Sequence, residues 1–128
     1  MATKIVYSNS CIPQEGISLA DSSIEYRLDS DVSKKMSGRC EPTVTIANTY
    51  YGNSTLAASG SITLESSATV NFAFIKNTGN NDMTINIGGH GARMLLSANE
   101  SISMQIDDKT IALASTLGTN YEYLLGKD

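Results

Sequence analysis

From residue 42 onward, apolar and polar residues alternate with a period of two in a series of short segments. In the first, Val44 and Ile46 alternate with threonine and alanine. A period of two places the apolar residues of each segment on one face of a strand. Because the opposite positions are mainly Ser, Thr and Asn, the pattern is typical of antiparallel sheets with one solvated side. The further alternating segments are 61–65, 70–76, 83–87, 102–106, 111–113 and 121–125.

Turn-forming residues separate these segments. Residues 77–82 (NTGNND), 107–109 (DDK) and 116–120 (TLGTN) each predict a tight connection between strands, with positive φ at Gly79 and Asn80. Strands spaced about 8–12 residues apart, with no convincing helix between them, indicate a sandwich or barrel. We therefore predict an all-β fold, an antiparallel β-sandwich of jelly-roll type with about eight strands.

The segment 70–76 (VNFAFIK) carries the strongest strand signal. Phe72 and the residues two positions from it share one face, whereas Ala73 and Ile75 share the other. We expect the Phe72 face to form part of the core.

The charge distribution divides the chain into an N-terminal arm, residues 1–41, and a β-sandwich domain, residues 42–128. Residues 21–41 hold nine of the 22 acidic and basic side chains, and charge is sparse thereafter. Part of the arm, from Ile24 to Met36, has apolar residues four apart, as in a short helix, but residues 24–28 also alternate as in a strand. Its β-branched, Asp and Ser content favours an extended arm, which we expect to dock on neighbouring molecules.

The segment GGHG (residues 88–91) contains the chain's one histidine, His90. Dinucleotide-binding loops open a helix, and none is predicted after these glycines. Neither a Walker lysine nor a GxSxG elbow is present. One histidine and two cysteines without CxxC spacing supply too few ligands for zinc. We therefore expect a glycine-rich turn with an exposed His90, no cofactor, no metal and no enzymatic activity.

Charge and hydropathy restrict the classes of partner. The net charge is −4 and the isoelectric point is about 4.8, which argues against nucleic-acid binding. The first ten residues contain no continuous apolar segment, and no apolar run approaches the length of about 20 residues that spans a bilayer. These features predict no signal peptide, no membrane partner, synthesis in a cytoplasm, and reduced thiols at Cys11 and Cys40.

Residues 70–126 resemble small virion structural proteins of tailed bacteriophages. The resemblance lies in the strand ending in Ile-Lys-Asn-x-Gly (75–79), the strand ending in Gly-Gly (87–89), the Asn-Glu-Ser turn (99–101) and the strand Gly-Thr-Asn-Tyr-Glu-Tyr-Leu (118–124). It implies a capsid decoration (cement) protein that binds the major capsid protein, stabilises the head and forms a homo-oligomer, with a trimer favoured. The implied location is the capsid exterior of a virion assembled in the host cytoplasm. Another virion part, in the neck or tail, is the alternative within this class.

Six residues are candidate partner-interface residues because they are charged and lie in the predicted arm, or form an aromatic pair at its border with the sandwich: Arg27, Lys34, Lys35, Arg39, Tyr50 and Tyr51. A carbohydrate-binding module is the alternative from a different class. Tyr50 and Tyr51, together with Tyr121 and Tyr123, would then form its stacking platform. Packing in the core or at a subunit interface is the competing interpretation of these tyrosines.

Overall fold

The computed structural model describes residues 2–11, 14–28, 36–45, 49–89 and 93–127. The chain folds as two compact units. One combines residues 1–5 with residues 42–128, and the other is Val6–Glu41. The described residues form strands, turns and bends, and no helix long and apolar enough to span a bilayer occurs among them. The all-β class predicted from the alternation is confirmed.

The described strands in chain order are β1 (Ala2–Lys4), β2 (Tyr7–Cys11), β3 (Gln14–Ser18), β4 (Ile24–Leu28), β5 (Met36–Cys40), β6 (Thr43–Thr45), β7 (Thr49–Leu56), β8 (Gly60–Asn77), β9 (Met83–Ile87), β10 (Met94–Leu96), β11 (Ser101–Ser115) and β12 (Thr119–Gly126). The larger unit contains an antiparallel sheet in the order β10-β9-β11-β8-β12-β7, and β1 pairs with β6.

The long strands β8 and β11 belong to both halves of this sheet. Their first shared stretch pairs the start of β8 with the end of β11, and β9 and β10 extend it. In the second, the end of β8 pairs with the start of β11 on one side and with β12 on the other, and β7 lies beyond β12. Register shifts at Gln105/Asp108 and Asp108/Thr110 separate the two stretches. Such bulges bend and twist a strand, so the paired strands fold over into a β-sandwich of jelly-roll type.

Both halves of the sheet contribute to one hydrophobic core. On β8, β11 and β12, the residues in register across the sheet share an inward face, as with Ile75, Ile102 and Tyr123. The buried members of the core are Leu56, Leu64, Val70, Ala73, Ile75, Met83, Ile85, Leu96, Ile111, Leu113, Tyr121 and Leu125. The alternation therefore identified the inward faces of most segments.

Two details of the sequence prediction are wrong. Residues 107–109 do not form a hairpin, because β11 continues through them and accommodates the acidic pair as a bulge. Ala73 and Ile75 belong to the core cluster, so the face opposite Phe72 is the inward face. The prediction that Phe72 itself is buried is confirmed, and Val70, of the same alternate set, belongs to the core cluster. At a bulge, the side chains that point inward change from every second residue of a strand to the residues between them. The period-two pattern of the sequence does not show where this change occurs.

The outer face near Phe72 is covered by residues of the β1–β6 pair. Phe72 is in register with Gly126, so the two positions share a face. A Cβ atom added to Gly126 would lie 2.6 Å from Cγ1 of Val44 and 3.2 Å from Cδ1 of Ile5. Val44 is fully buried. The large ring of Phe72 is therefore buried on the side of the sheet away from the main core.

The glycines of the loops serve two purposes. Gly118 adopts φ +84°, as its predicted turn requires, and Gly88 and Gly89 also lie in the left-handed region. Gly79 does not, and neither does Asn80, so the prediction of positive φ there is wrong. Gly79 is required for space, since an added Cβ would clash with the hydroxyl of Thr119. His90 and Gly91 lie outside the described residues.

The side chain of Asn77 joins the loops at one end of the sandwich. It is fully buried. Its Nδ2 donates hydrogen bonds to the carbonyl oxygens of Asn81 (2.6 Å) and Leu96 (3.0 Å). Its Oδ1 accepts hydrogen bonds from the backbone N–H of Gly79 (3.1 Å) and the hydroxyl of Thr119 (2.8 Å). The amide thus satisfies polar groups from the β8–β9 loop, β10 and β12, and it fixes the point where β12 begins.

The unit Val6–Glu41 consists of two antiparallel pairs, β2 with β5 and β3 with β4. Residues 24–28 form a strand, which confirms the extended interpretation there, while residues 29–35 lie outside the described part. The backbone N–H of Ile5 donates to the carbonyl oxygen of Pro42 at 3.1 Å. The chain therefore leaves the larger unit and re-enters it at two adjacent points, so Val6–Glu41 is an insertion between β1 and β6.

We predict that Asn77→Ala lowers the free energy of unfolding by about 3 kcal/mol or more, because several buried groups lose their partner and each such loss costs about 1–3 kcal/mol. The matched control is Asn80→Ala in the same loop, where the side chain is exposed and a change within about 0.5 kcal/mol is expected. Urea denaturation followed by circular dichroism measures both. Equal effects of the two substitutions would contradict the role given to Asn77.

Candidate interaction surface

Strand β7 forms one outer edge of the six-stranded sheet. It pairs with β12 over eight consecutive residues without a register shift, and no described strand pairs with its other side. Its sequence, TYYGNSTL, contains neither proline nor a charged residue. An edge of this kind presents a row of backbone N–H and C=O groups to any strand that approaches it.

Tyr51 lies on the outward face of this edge, with 63% of its surface exposed. Its hydroxyl donates a hydrogen bond to Oε2 of Glu122 at 3.1 Å. On the same face, the hydroxyl of Thr55 donates to Oδ1 of Asn120 at 2.8 Å. These cross-strand bonds hold the β7 side chains against β12 and leave the free side of the strand accessible.

Tyr50 lies on the opposite face of β7, in register with the core residue Leu125. Its ring is 48% exposed, at the rim of the sandwich. The Nζ atom of Lys127 lies 4.6 Å from the centre of this ring, and the lysine side chain is buried. A cation above a tyrosine ring is attracted by its π-electrons. The contact therefore gives the ammonium group a partner and restrains the ring.

Tyr121 and Tyr123 do not extend this surface. Tyr121 is buried, and its ring stacks on that of Tyr123 at a centroid distance of 6.1 Å. Tyr123 in turn crosses Gly52, where an added Cβ would lie 2.6 Å from the tyrosine hydroxyl oxygen. The predicted four-tyrosine carbohydrate platform is therefore wrong, because two of its members pack inward.

The charged interface candidates lie in the Val6–Glu41 unit and are only partly described. Arg39 is exposed on β5 and pairs with Glu41 at 2.9 Å, a surface ion pair worth about 0–1 kcal/mol. Arg27 is in register with Glu15 between β4 and β3, and its side chain is not described. Lys34 and Lys35 lie outside the described residues. These four cations belong to the Val6–Glu41 unit and Tyr50 and Tyr51 to the larger unit, so an interface that combines them stays a prediction.

The described residues contain no group of side chains that could hold a metal ion. No cluster of three or more His, Cys, Asp or Glu side chains occurs among them. A groove of about 600 Å³ is lined mainly by small residues, with Asp82 and Arg93 as its charged members. Cys11 is exposed and Cys40 partly exposed, and both are free thiols. Among the described residues, the edge β7 is therefore the candidate interaction surface.

Sequence reasoning singled out Tyr50 and Tyr51 but did not find that β7 is an edge. The absence of charge and proline from residues 49–56 is visible in the sequence. Which strand ends the sheet depends on the order of pairing, and a pattern within one strand carries no information about that order. The backbone of β7 therefore emerges as a candidate only from the topology.

Comparison with known proteins supports the fold alone. No protein-family model matches the chain, and neither does any curated protein. A cupin superfamily protein from Desulfitobacterium hafniense DCB-2 has a similar structure, with a TM-score of 0.50 and 10% identity over 66% of this chain and 72% of that chain. The EutQ protein of Clostridium difficile gives a TM-score of 0.45 at 11% identity, over 97% and 64% of the two chains. A putative ethanolamine utilization protein Q from Salmonella typhimurium LT2 also gives 0.45 at 11%, over 92% and 97%.

The resemblance to tailed-phage virion proteins is wrong as a family assignment. A cupin superfamily protein shares the fold with a TM-score of 0.50, and no family model or curated protein supports a phage family. The capsid-decoration function, the neck or tail alternative and the virion location depended on that resemblance and are withdrawn with it. The capsid partner and the preference for a trimer lose their basis as well. The carbohydrate-binding alternative gains no support from these similarities.

The turn between β3 and β4 contains a carboxylate whose ionisation is perturbed. Oδ1 of Asp21 accepts hydrogen bonds from the hydroxyl (2.6 Å) and the backbone N–H (3.0 Å) of Ser23. The hydroxyl bond is the larger cause and the backbone bond the second, and together they hold the pKa of Asp21 below its ordinary value. Since the folded pKa lies below the unfolded one, the carboxylate stabilises the turn fully above the unfolded pKa, and this contribution is lost as the pH falls through the folded pKa.

We predict that Ser23→Ala raises the pKa of Asp21 toward its ordinary value, because the larger of the two hydrogen bonds is removed. A carbon-13 NMR titration of the carboxyl resonance measures this directly. The control is Ser18→Ala on β3, whose side chain is exposed, and this substitution should leave the titration unchanged. An unaltered midpoint in Ser23→Ala would show that the hydroxyl does not stabilise the charge.

Proposed function

We propose that this protein is a non-enzymatic jelly-roll domain that assembles with copies of itself, and that the Val6–Glu41 unit docks on a neighbouring copy. The observation that carries the proposal is the burial pattern of this unit. None of its described side chains is buried, although its backbone forms two regular antiparallel pairs. Two-stranded pairs whose described side chains are all at least partly exposed gain stability when another surface covers them.

The physical basis is the weakness of two-stranded ladders. An isolated pair of strands is at best marginally stable in water, and stability needs a third strand or a packed face. The unit exposes apolar side chains that docking would bury, namely Val6 (54%), Leu19 (39%) and Ile24 (58%). Its interspersed positive and negative charges would orient the contact more than strengthen it.

The remaining chemistry favours a protein partner over a substrate or a nucleic acid. The net charge of −4 opposes binding to a phosphate backbone. Acidic side chains such as Asp21, Asp82 and Glu122 lie in separate elements, and paired carboxylates are what hydrolytic sites of the glycosidase type need. The exposed edge and the uncovered insertion are features of proteins that work by association.

The first test removes the insertion. Because Ile5 and Pro42 are adjacent, residues 6–41 can be replaced by a short Gly-Ser linker that keeps β1 paired with β6. We predict that this protein retains its β-sheet circular dichroism and a cooperative melt, since the core lies in the other unit. In sedimentation velocity, the deletion protein should form assemblies with fewer copies than those of the full chain.

A point variant provides the milder test. Ile24→Asp should weaken association of the full chain, because a charge would replace an apolar side chain in the docked surface. Leu117→Asp is the matched control, since Leu117 is 71% exposed in the larger unit. An unchanged number of copies in both the deletion protein and Ile24→Asp would refute docking through this unit.

A further inference from the structure

The edge strand β7 lacks the features that keep edges apart. Protected edges are short, charged, interrupted by proline or twisted by a bulge. Strand β10, at the other end of the strand order, is only three residues long. By contrast, β7 is eight residues long, uncharged, free of proline and in unbroken register with β12. A strand of this kind associates with another strand unless something covers it.

We propose that β7 pairs with β7 of a second copy, antiparallel and across a two-fold axis perpendicular to the sheet, to form one continuous sheet. This inference rests on the proposed self-assembly and gives it a second, separate interface. An interface of this symmetry is self-complementary, because the same surface is used by both subunits. The absence of charge from β7 allows two identical strands to face each other without like charges in opposition.

The symmetry restricts the register. A two-fold axis perpendicular to the sheet relates the outward face of one subunit to the outward face of the other. Residues directly opposite each other in neighbouring strands point to the same face of a sheet. The residue at the axis must therefore face its own copy. Centring the pair on Asn53 places Tyr51 opposite the partner's Thr55 and Tyr50 opposite the partner's Leu56. Aromatic residues opposite β-branched residues are favourable cross-strand pairs, so this register uses the exposed tyrosine Tyr51.

The edge is already arranged for this contact. The hydrogen bond from Tyr51 to Glu122 and the contact between Lys127 and Tyr50 hold both rings from the β12 side. Side chains that are ordered before association lose less entropy when it occurs. Asn53, at the proposed axis, is exposed, and its substitution removes no core contact.

A charge exchange at Asn53 tests the pairing in the full chain. We expect Asn53→Lys and Asn53→Glu each to weaken association about tenfold or more, because like charges would meet at the axis. Mixing the two variants in equal amounts should restore it, with each restored interface containing one copy of each variant. Native mass spectrometry reads this composition directly from the different masses. The matched controls are Leu95→Lys and Leu95→Glu on β10, exposed at the opposite edge, which should change neither measurement.

The outcomes separate this inference from the proposed function. If the wild-type chain sediments as a 13.6 kDa monomer at all concentrations, both are wrong. If it assembles but the Asn53 variants associate as wild type does, the β7 pairing alone is wrong. Weakening in both single variants without restoration in the mixture also overturns the pairing, since identical positions would not face each other. Circular dichroism of each variant establishes that the fold is retained.

Discussion

The four hydrogen bonds of the Asn77 side chain hold together the end of the sandwich on which the remaining geometry depends. A buried amide with every group satisfied specifies one arrangement of its surroundings, because any other leaves polar groups without partners. Through Thr119 this amide fixes the start of β12, and β12 in turn sets the register of β7. Gly79 is required at the same place, where a side chain would meet Thr119. The candidate interaction edge is therefore positioned by a polar contact buried at the end of the sheet.

The same residues explain the resemblance of the sequence to virion structural proteins. The Ile-Lys-Asn-x-Gly segment contains Asn77 and Gly79, which together close this end of the sandwich. In the Asn-Glu-Ser turn, Asn99 adopts φ +65° and donates its backbone N–H to the carbonyl oxygen of Asn77. These motifs describe how a jelly roll joins its strands. Jelly rolls occur in viral capsid proteins, in lectins and in cupins alike. A motif that encodes a connection thus identifies the architecture and not the family or the function.

The sequence predicted those parts of the fold that depend on local pattern. Period-two alternation identified the all-β class and the inward faces of segments such as 83–87 and 121–125, because one side chain in two must be buried in a half-solvated sheet. It failed at the bulges of β8 and β11, where the face of residues 70–76 reverses and residues 107–109 continue a strand. It also failed to place β7 at the edge, since strand order is set by pairing between distant segments. The sequence identified Tyr50 and Tyr51 as an aromatic pair. Their place on an edge strand depends on the strand order of the sheet.

The Val6–Glu41 insertion, in which no described side chain is buried, and the outer side of β7, with which no described strand pairs, are thus both incompletely covered. The central claim is that copies of this chain cover them. Hydrogen–deuterium exchange of the full-length protein, measured by mass spectrometry at low and at high protein concentration, tests it most directly. We expect peptides covering residues 49–56 and 6–28 to become protected as the concentration rises, while peptides covering β10 exchange at the same rate throughout. Exchange of residues 49–56 and 6–28 that does not depend on concentration would contradict the claim.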